Sequence, residues 1–141
     1  MVGLGFPSGY VRVQLAAQTK KQKTMIITID GPAGAGKSTV ARMLANRLGF
    51  DFLDTGAMYR TVACACIDRG VDLNDADAVS EMAAEISIEF AGDRILCNAR
   101  DVTTEIRSTE ASHAASIVAA VPAVRLEMVR LQRESTAGRD Y

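Results

Sequence analysis

Residues 31–39 read GPAGAGKST, and their types and spacing suit a loop that holds a chain of phosphates. Gly31, Gly34 and Gly36 let the backbone curl until several N–H groups converge on phosphate oxygens. A helix beginning near Lys37 adds the positive end of its dipole. Lys37 reaches β and γ phosphates, and the Ser38 hydroxyl is placed to ligate Mg²⁺. The context is also right. The apolar, β-branched run MIITI precedes the loop, and an amphipathic helical pattern with Val40, Met43, Leu44 and Leu48 on one face follows it. Residues 31–38 therefore predict nucleotide binding. They do not identify what receives a phosphoryl group, because GTPases, ATPases and small kinases share this loop.

A second chemical stretch, LDTGAMYR at residues 53–60, follows the segment FDFLD, which reads as a second strand. Ligands of open α/β sheets bind beyond the carboxyl ends of strands. Thr55 is expected to cap a helix from Gly56 to Arg69, which creates a resting place for an anion. Tyr59 and Arg60 stand one turn in. A plain helix cap, with Tyr59 in the core and Arg60 solvated, reads the same residues without chemistry.

The elements that must position these groups follow from periodicity. Strand, helix, strand, helix from Met25 to Gly70 predicts an α/β fold, a parallel sheet with helical crossovers on its faces. Gly49 and Gly70 are placed to end the two helices. NDADAVSEMAAEI reads as a helix capped by Asn74, with Asp77 near its third position. ISIEFAGDRILCNARDVTTEIR alternates with period two: Ile86, Ile88 and Phe90 face one way, Ser87 and Glu89 the other. Turns are expected at Gly92-Asp93 and at Asn98 to Asp101. The result is a small antiparallel sheet inserted into the α/β core. Two helices follow, one over about residues 109–120 and one starting near Pro122, with Val124, Met128 and Leu131 inward. The division is 1–24 as an extension, 25–72 as the phosphate-loop core, 73–121 as the insert, and 122–141 as a return helix leading to the next core strand.

Composition sets the outer limits. The chain has 141 residues, 48% hydrophobic and 23% charged, with a formal net charge of −1, which suits one soluble domain. Bulk charge gives no reason to expect a nucleic acid polymer or an anionic membrane as partner. No apolar run approaches the ~20 residues of a membrane span. Cys64, Cys66 and Cys97 lack the paired spacing of a disulfide framework or zinc site. They read as small buried hydrophobes in a reducing, cytoplasmic compartment. The first 24 residues hold no acid and carry Arg12, Lys20, Lys21 and Lys23. Without a signal-peptide core, they read as a disordered extension or as translation upstream of a start at Met25.

From Met25 onward the chain resembles the amino-terminal part of the bacterial cytidylate kinases. The resemblance is carried by ITIDGPAGAGKST, FLDTGAMYR, DVTTEIR, SHAAS and PAVRLEMVRLQR, in that order. The fold it implies is that of the P-loop nucleoside monophosphate kinases, and the activity is transfer of the ATP γ-phosphoryl to CMP or dCMP by a monomer, with Mg²⁺. It implies that Gly31, Pro32, Ala33, Gly34, Ala35, Gly36, Lys37, Ser38 and Thr39 bind the ATP phosphates. Thr55, Tyr59 and Arg60 would lie along the CMP site, and Arg107, Ser116 and Arg125 would hold the CMP phosphate or its base. Lys37, Arg60 and Arg107 would carry the catalysis, and residues 73–121 would form the enlarged monophosphate-binding insert.

The chemistry agrees with this implication. A monophosphate is already nucleophilic at neutral pH and needs no strong base; it needs cations that overcome phosphate repulsion and hold an in-line geometry. Arginine forks suit that task. Asp30 is a minor candidate for orienting the loop or its Mg²⁺. The resemblance also implies parts that follow residue 141 in the family: a strand between the two parallel strands, a second Gly-Arg-Asp on the loop after it, and an arginine-rich lid. Arg139 and Asp140 are not given that role. The chain reads as a fragment lacking the C-terminal part of the fold, inactive or nearly so by itself. Two alternatives stay open: a small kinase with another acceptor, and a non-catalytic ATP-binding module.

Overall fold

The structure, a computed structural model, describes residues 12–17, 24–32 and 34–141. Ala33 of the phosphate loop, and the expected extension apart from 12–17 and Thr24, lie outside the described residues. The chain divides into two units: residues up to Leu53 together with Ser135–Tyr141, and Asp54–Glu134.

In the first unit β1 (Arg12–Ala17) pairs antiparallel with β2 (Met25–Asp30), from Arg12 opposite Asp30 to Ala17 opposite Met25. The parallel sheet expected from the strand–helix rhythm is not what the described residues form. The segment FDFLD is not a strand, because it has no ladder partner: Asp51 N–H donates to the Asp140 carbonyl at 2.9 Å. Parallel pairing is confined to Tyr141, whose N–H donates to Met25 O at 3.0 Å and whose carbonyl accepts from Ile27 N–H at 2.7 Å. Residues 12–17, read from the sequence as part of an extension outside the fold, instead lie along β2. Asp140 and Arg139 serve this unit: Asp140 Oδ1 accepts from Met25 N–H at 2.7 Å, and Arg139 pairs with Asp51 at 3.3 Å.

Helix α1 (Lys37–Leu48) ends at Gly49, which takes φ 70° as expected of a left-handed C-cap. Its apolar face is less covered than its periodicity predicts. Ala45 is buried, but Val40, Met43 and Leu48 are exposed, because a two-stranded pair offers too little surface to cover them. The Arg42 guanidinium lies 4.6 Å from the Phe52 ring centroid, a cation–π contact that ties α1 to the segment after it.

The second unit holds α2 (Thr55–Asp68), α3 (Ala76–Glu85), β3 (Ile88–Ala91), β4 (Arg94–Cys97), β5 (Arg100–Asp101), a single 3-10 turn (Glu105–Arg107), α4 (Thr109–Val118) and α5 (Pro122–Ser135). Helix α2 is the axis. Met58, Val62 and Cys66 meet Val79 and Met82 of α3, Val118 of α4, and Val124 and Met128 of α5. Its Ala57 and Cys64 meet Ile95, Val102, Ile106 and Ala111. A helix buried on both sides needs small residues, and Ala57, Ala63, Cys64 and Cys66 supply them. Burial pushes all three thiols up from their ordinary range; the Asp68 and Glu105 charges add to the effect at Cys64.

The antiparallel insert forms as its alternation predicts, in the order β3-β4-β5. Ile86 is buried, Ile88 and Phe90 pack on the core, and Ser87 and Glu89 are exposed. Gly92 opens the first two-residue turn at φ 64°; Asn98 and Ala99 form the second, at φ 48° and 66°. Two positive φ values are what a type I′ hairpin requires, and Asn98 Oδ1 secures the turn by accepting from Ser87 N–H at 2.9 Å. Asp75, not Asn74, caps α3: its side chain accepts from Ala78 N–H at 3.1 Å. Asn74 instead donates to Asp72, two residues earlier. Arg130 pairs with both Glu127 and Glu134 on the surface of α5. Among the described residues no helix is long and apolar enough to cross a membrane.

Met58 is 1% exposed where α2 meets the other helices, whereas Leu126 on α5 is 74% exposed. Met58→Ala should lower unfolding stability by about 2–5 kcal/mol, and Leu126→Ala should change it by less than about 0.5 kcal/mol. Urea denaturation of both variants checks this; equal effects would contradict the placement of the core.

Candidate functional site

Local sequence explains how Arg60 is held. Asp54 ends an extended segment at φ −82°, ψ 88° and is the N-cap of α2. Its Oδ1 accepts the Ala57 N–H at 2.9 Å, and its Oδ2 accepts from Arg60 Nη2 at 3.3 Å. One carboxylate thus starts the helix and anchors a guanidinium on the helix's second turn. The cap expected at Thr55 falls instead on Asp54: Thr55 is already helical and exposed. A cap must precede the helical turn to reach its free N–H groups, and Asp54 is the residue there.

Arg60 is only partly exposed, its side chain at 28%. The pairing with Asp54 is a single contact and not a two-bond fork, so most of the donors are uncommitted to it. The Nε–H is buried and finds no partner. A buried donor left unpaired costs about 1–3 kcal/mol, and such groups concentrate where a site serves something other than stability.

Arg60 faces a cavity of about 250 Å³ lined by Gly56, Tyr59, Arg60, Ser112, Ala115, Ser116 and Ala119. Helices α2 and α4 form it. Helix α4 is capped by Ser108, whose hydroxyl accepts from Ala111 N–H at 3.0 Å. Ala111, Ala114 and Ala115 are buried and let the two helices approach. Ser112 and Ser116 then face the same cavity four residues apart, each hydroxyl donating to the carbonyl one turn earlier, at 3.0 and 3.3 Å. The lining offers one guanidinium, a phenol and two hydroxyls, and no carboxylate. With both serine hydrogens committed to main-chain carbonyls, the guanidinium is the cationic donor of a largely apolar lining, an arrangement that suits an anion. The volume lies below the ~300–1,000 Å³ of sites that enclose a drug-sized ligand, so the cavity suits part of such a molecule.

Of the acceptor-side residues predicted from sequence, Tyr59, Arg60 and Ser116 share this cavity. Arg107, at the end of the 3-10 turn, and Arg125, on α5, are exposed and not among its lining residues. Asp54, Gly56, Ser112 and the small residues of α4 were not singled out. The i, i+4 spacing of Ser112 with Ser116 and of Ala115 with Ala119 was the readable signal for the α4 wall.

The phosphate loop lies in the other unit. Gly34 and Gly36 take φ 76° and 79°, the left-handed values that bring successive N–H groups to one side. Gly36 is the N-cap of α1 and supplies no side-chain cap. Side-chain oxygens do cap α2, α3 and α4. The first turn of α1 therefore keeps N–H groups and a positive dipole end for an outside anion. Lys37 Nζ donates to Pro32 O at 2.7 Å, folding across the loop, and Asp30 Oδ1 accepts from Gly31 N–H at 2.8 Å at its entrance. Ser38 and Thr39 are exposed in the first turn of α1. Among the described residues no group of three or more His, Cys, Asp or Glu side chains could hold a metal ion. His113, the one histidine, is exposed on α4.

Comparison with known proteins supplies the family. A family profile described as Cytidylate kinase matches residues 27–141. The cytidylate kinase of Limosilactobacillus fermentum is 52% identical over 115 residues, covering 79% of this chain and 51% of that protein. That of Pelotomaculum thermopropionicum is 53% identical over 117 residues, covering 79% and 52%. That of Mycobacterium leprae is 45% identical over 115 residues, covering 82% and 52%. The chain spans about half the length of the curated relatives it matches. With its uncapped glycine loop and its guanidinium-lined cavity on α2 and α4, and with a family match covering most of its length, the chain belongs to the cytidylate kinase family.

Proposed function

We propose that this chain carries the ATP-phosphate loop and the monophosphate acceptor pocket of a cytidylate kinase, which transfers the ATP γ-phosphoryl to CMP or dCMP and yields ADP with CDP or dCDP. The cavity where Arg60, Tyr59 and Ser116 meet is the observation that carries this reading, in a chain of that family. The CMP phosphate is the nucleophile, so the protein's work is positioning and charge neutralisation. Arg60 takes the phosphate through the donors that Asp54 leaves to it, and Arg107 is proposed as a second cation. Ser116 and Arg125 are proposed to read the cytosine edge, which pairs an amino donor with ring acceptors. Thr55, in the first turn of α2, is proposed to lie along the same path.

On the nucleotide side, residues Gly31 through Thr39 hold the phosphates, chiefly through main-chain N–H groups; Pro32 has none, and those of Gly31 and Ala35 already donate to Asp30 and Pro32. Lys37 exchanges its Pro32 contact for β and γ oxygens. When bound, Mg²⁺ shields the phosphate charge; Ser38 would hold it together with nucleotide oxygens and water, the usual mode for this ion. A cytoplasmic monomer with its three cysteines free completes the reading.

Calorimetric titration of the full chain separates the two sites. Arg60→Ala should weaken CMP binding roughly tenfold to a hundredfold, the value of a charged hydrogen bond of about 1.5–3 kcal/mol, and leave ATP binding unchanged. Lys37→Ala should do the reverse. Loss of both ligands in both variants, or of neither, would contradict the assignment. Across CMP, dCMP, UMP and AMP, the two cytidine nucleotides should bind at least about a hundredfold more tightly than the others. Equal binding of AMP would point to a different acceptor, and ATP binding with no monophosphate binding would point to a non-catalytic module.

A further inference from the structure

Gly56 is the second residue of α2 and lines the cavity. Its backbone does not require glycine: six other glycines take positive φ, and Gly56 is not among them. At those six positions an added Cβ would meet nothing within 4 Å. Gly56 is the reverse case. A Cβ there would lie 3.4 Å from Arg60 Nη1, 3.4 Å from Asp54 Oδ1 and 4.0 Å from Arg60 Cζ. Those are contact distances and not clashes, so alanine fits. Within a helix alanine is also more favourable than glycine, both in the folded turn and through the unfolded chain. Neither backbone conformation nor packing accounts for glycine at this position.

We propose that Gly56 is a positioning residue: its missing side chain keeps the Nη1 edge of the Arg60 guanidinium open to the cavity, so that a phosphomonoester oxygen can approach it, while Asp54 holds the Nη2 edge. The proposal deepens the cytidylate kinase reading and rests on it for the identity of the ligand. A methyl at this point would cover the one guanidinium edge that neither Asp54 nor burial already occupies. It would touch Asp54 Oδ1 at an ordinary contact distance, which leaves the helix cap in place. Glycine here lowers helix stability and raises access to an anion, so stability and binding should respond to substitution in opposite directions.

The test is Gly56→Ala in the full chain, with thermal unfolding followed in parallel with titration by inorganic phosphate, CMP and cytidine. The expected result is a Tm at or above that of the wild type, phosphate and CMP affinities about tenfold or more weaker, and cytidine binding unchanged. Unchanged affinity for phosphate and CMP would overturn the proposal. So would a lowered Tm, since the substitution would then act by disturbing the fold. If the variant loses phosphate as expected but the wild type prefers another monophosphate to CMP, the role of Gly56 stands and the cytidylate reading falls. A wild type that binds neither phosphate nor CMP removes both.

Discussion

The second unit depends on how one carboxylate divides its two oxygens. Asp54 Oδ1 starts α2 by capping it, and Oδ2 anchors Arg60 on the next turn. Starting the helix fixes the direction of an axis that packs against α3, α4, α5 and the small sheet. Anchoring Arg60 fixes a cation at the cavity wall. Because both follow from one side chain, the site's geometry and the helix's beginning cannot drift apart. The pair is half-buried and single-contact, so its own contribution to stability is small, as for exposed ion pairs generally. Its consequence is orientation: a long, rotamer-rich side chain is held near the position it must occupy when an anion arrives, which lowers the ordering cost of binding.

The two units handle the same physical problem in opposite ways. Every α-helix begins with N–H groups that lack partners within it. Helices α2, α3 and α4 satisfy one with Asp54, Asp75 and Ser108. Helix α1 begins at Gly36 and does not. A helix start that no side chain caps leaves its N–H groups open to a partner from outside the chain. The proposed acceptor cavity relies on a side chain instead, the Arg60 guanidinium, where two helices pack closely through alanines. Main-chain donors suit a long run of phosphates, which meets them at many points; a guanidinium suits a single phosphate that must be aimed.

Much of this was legible in the sequence because the local signals were strong. The glycine loop, the left-handed ends at Gly49 and Gly70, the period-two run through Ile86, Ile88 and Phe90, the Gly92-Asp93 turn and the start at Pro122 are all decided within a few residues. What the sequence did not yield is decided over longer range. Whether FDFLD becomes a strand depends on which backbone lies beside it, and among the described residues β2 finds β1 along one edge and the Asp140-Tyr141 end on the other. The caps were misread by one residue twice, at Thr55 for Asp54 and at Asn74 for Asp75, because adjacent residues with equal capping chemistry are separated only by where the turn begins. The α4 wall was readable only as an i, i+4 spacing of small residues, Ser112 with Ser116 and Ala115 with Ala119, which says nothing of a cavity until α4 is laid against α2.

The most direct test is a crystal structure of the chain soaked with CMP. A phosphate oxygen should lie about 2.7–2.9 Å from an Arg60 guanidinium nitrogen, within the cavity between α2 and α4, with Asp54 still capping the helix. CMP bound elsewhere, or bound there with Arg60 turned away from its phosphate, would contradict the account.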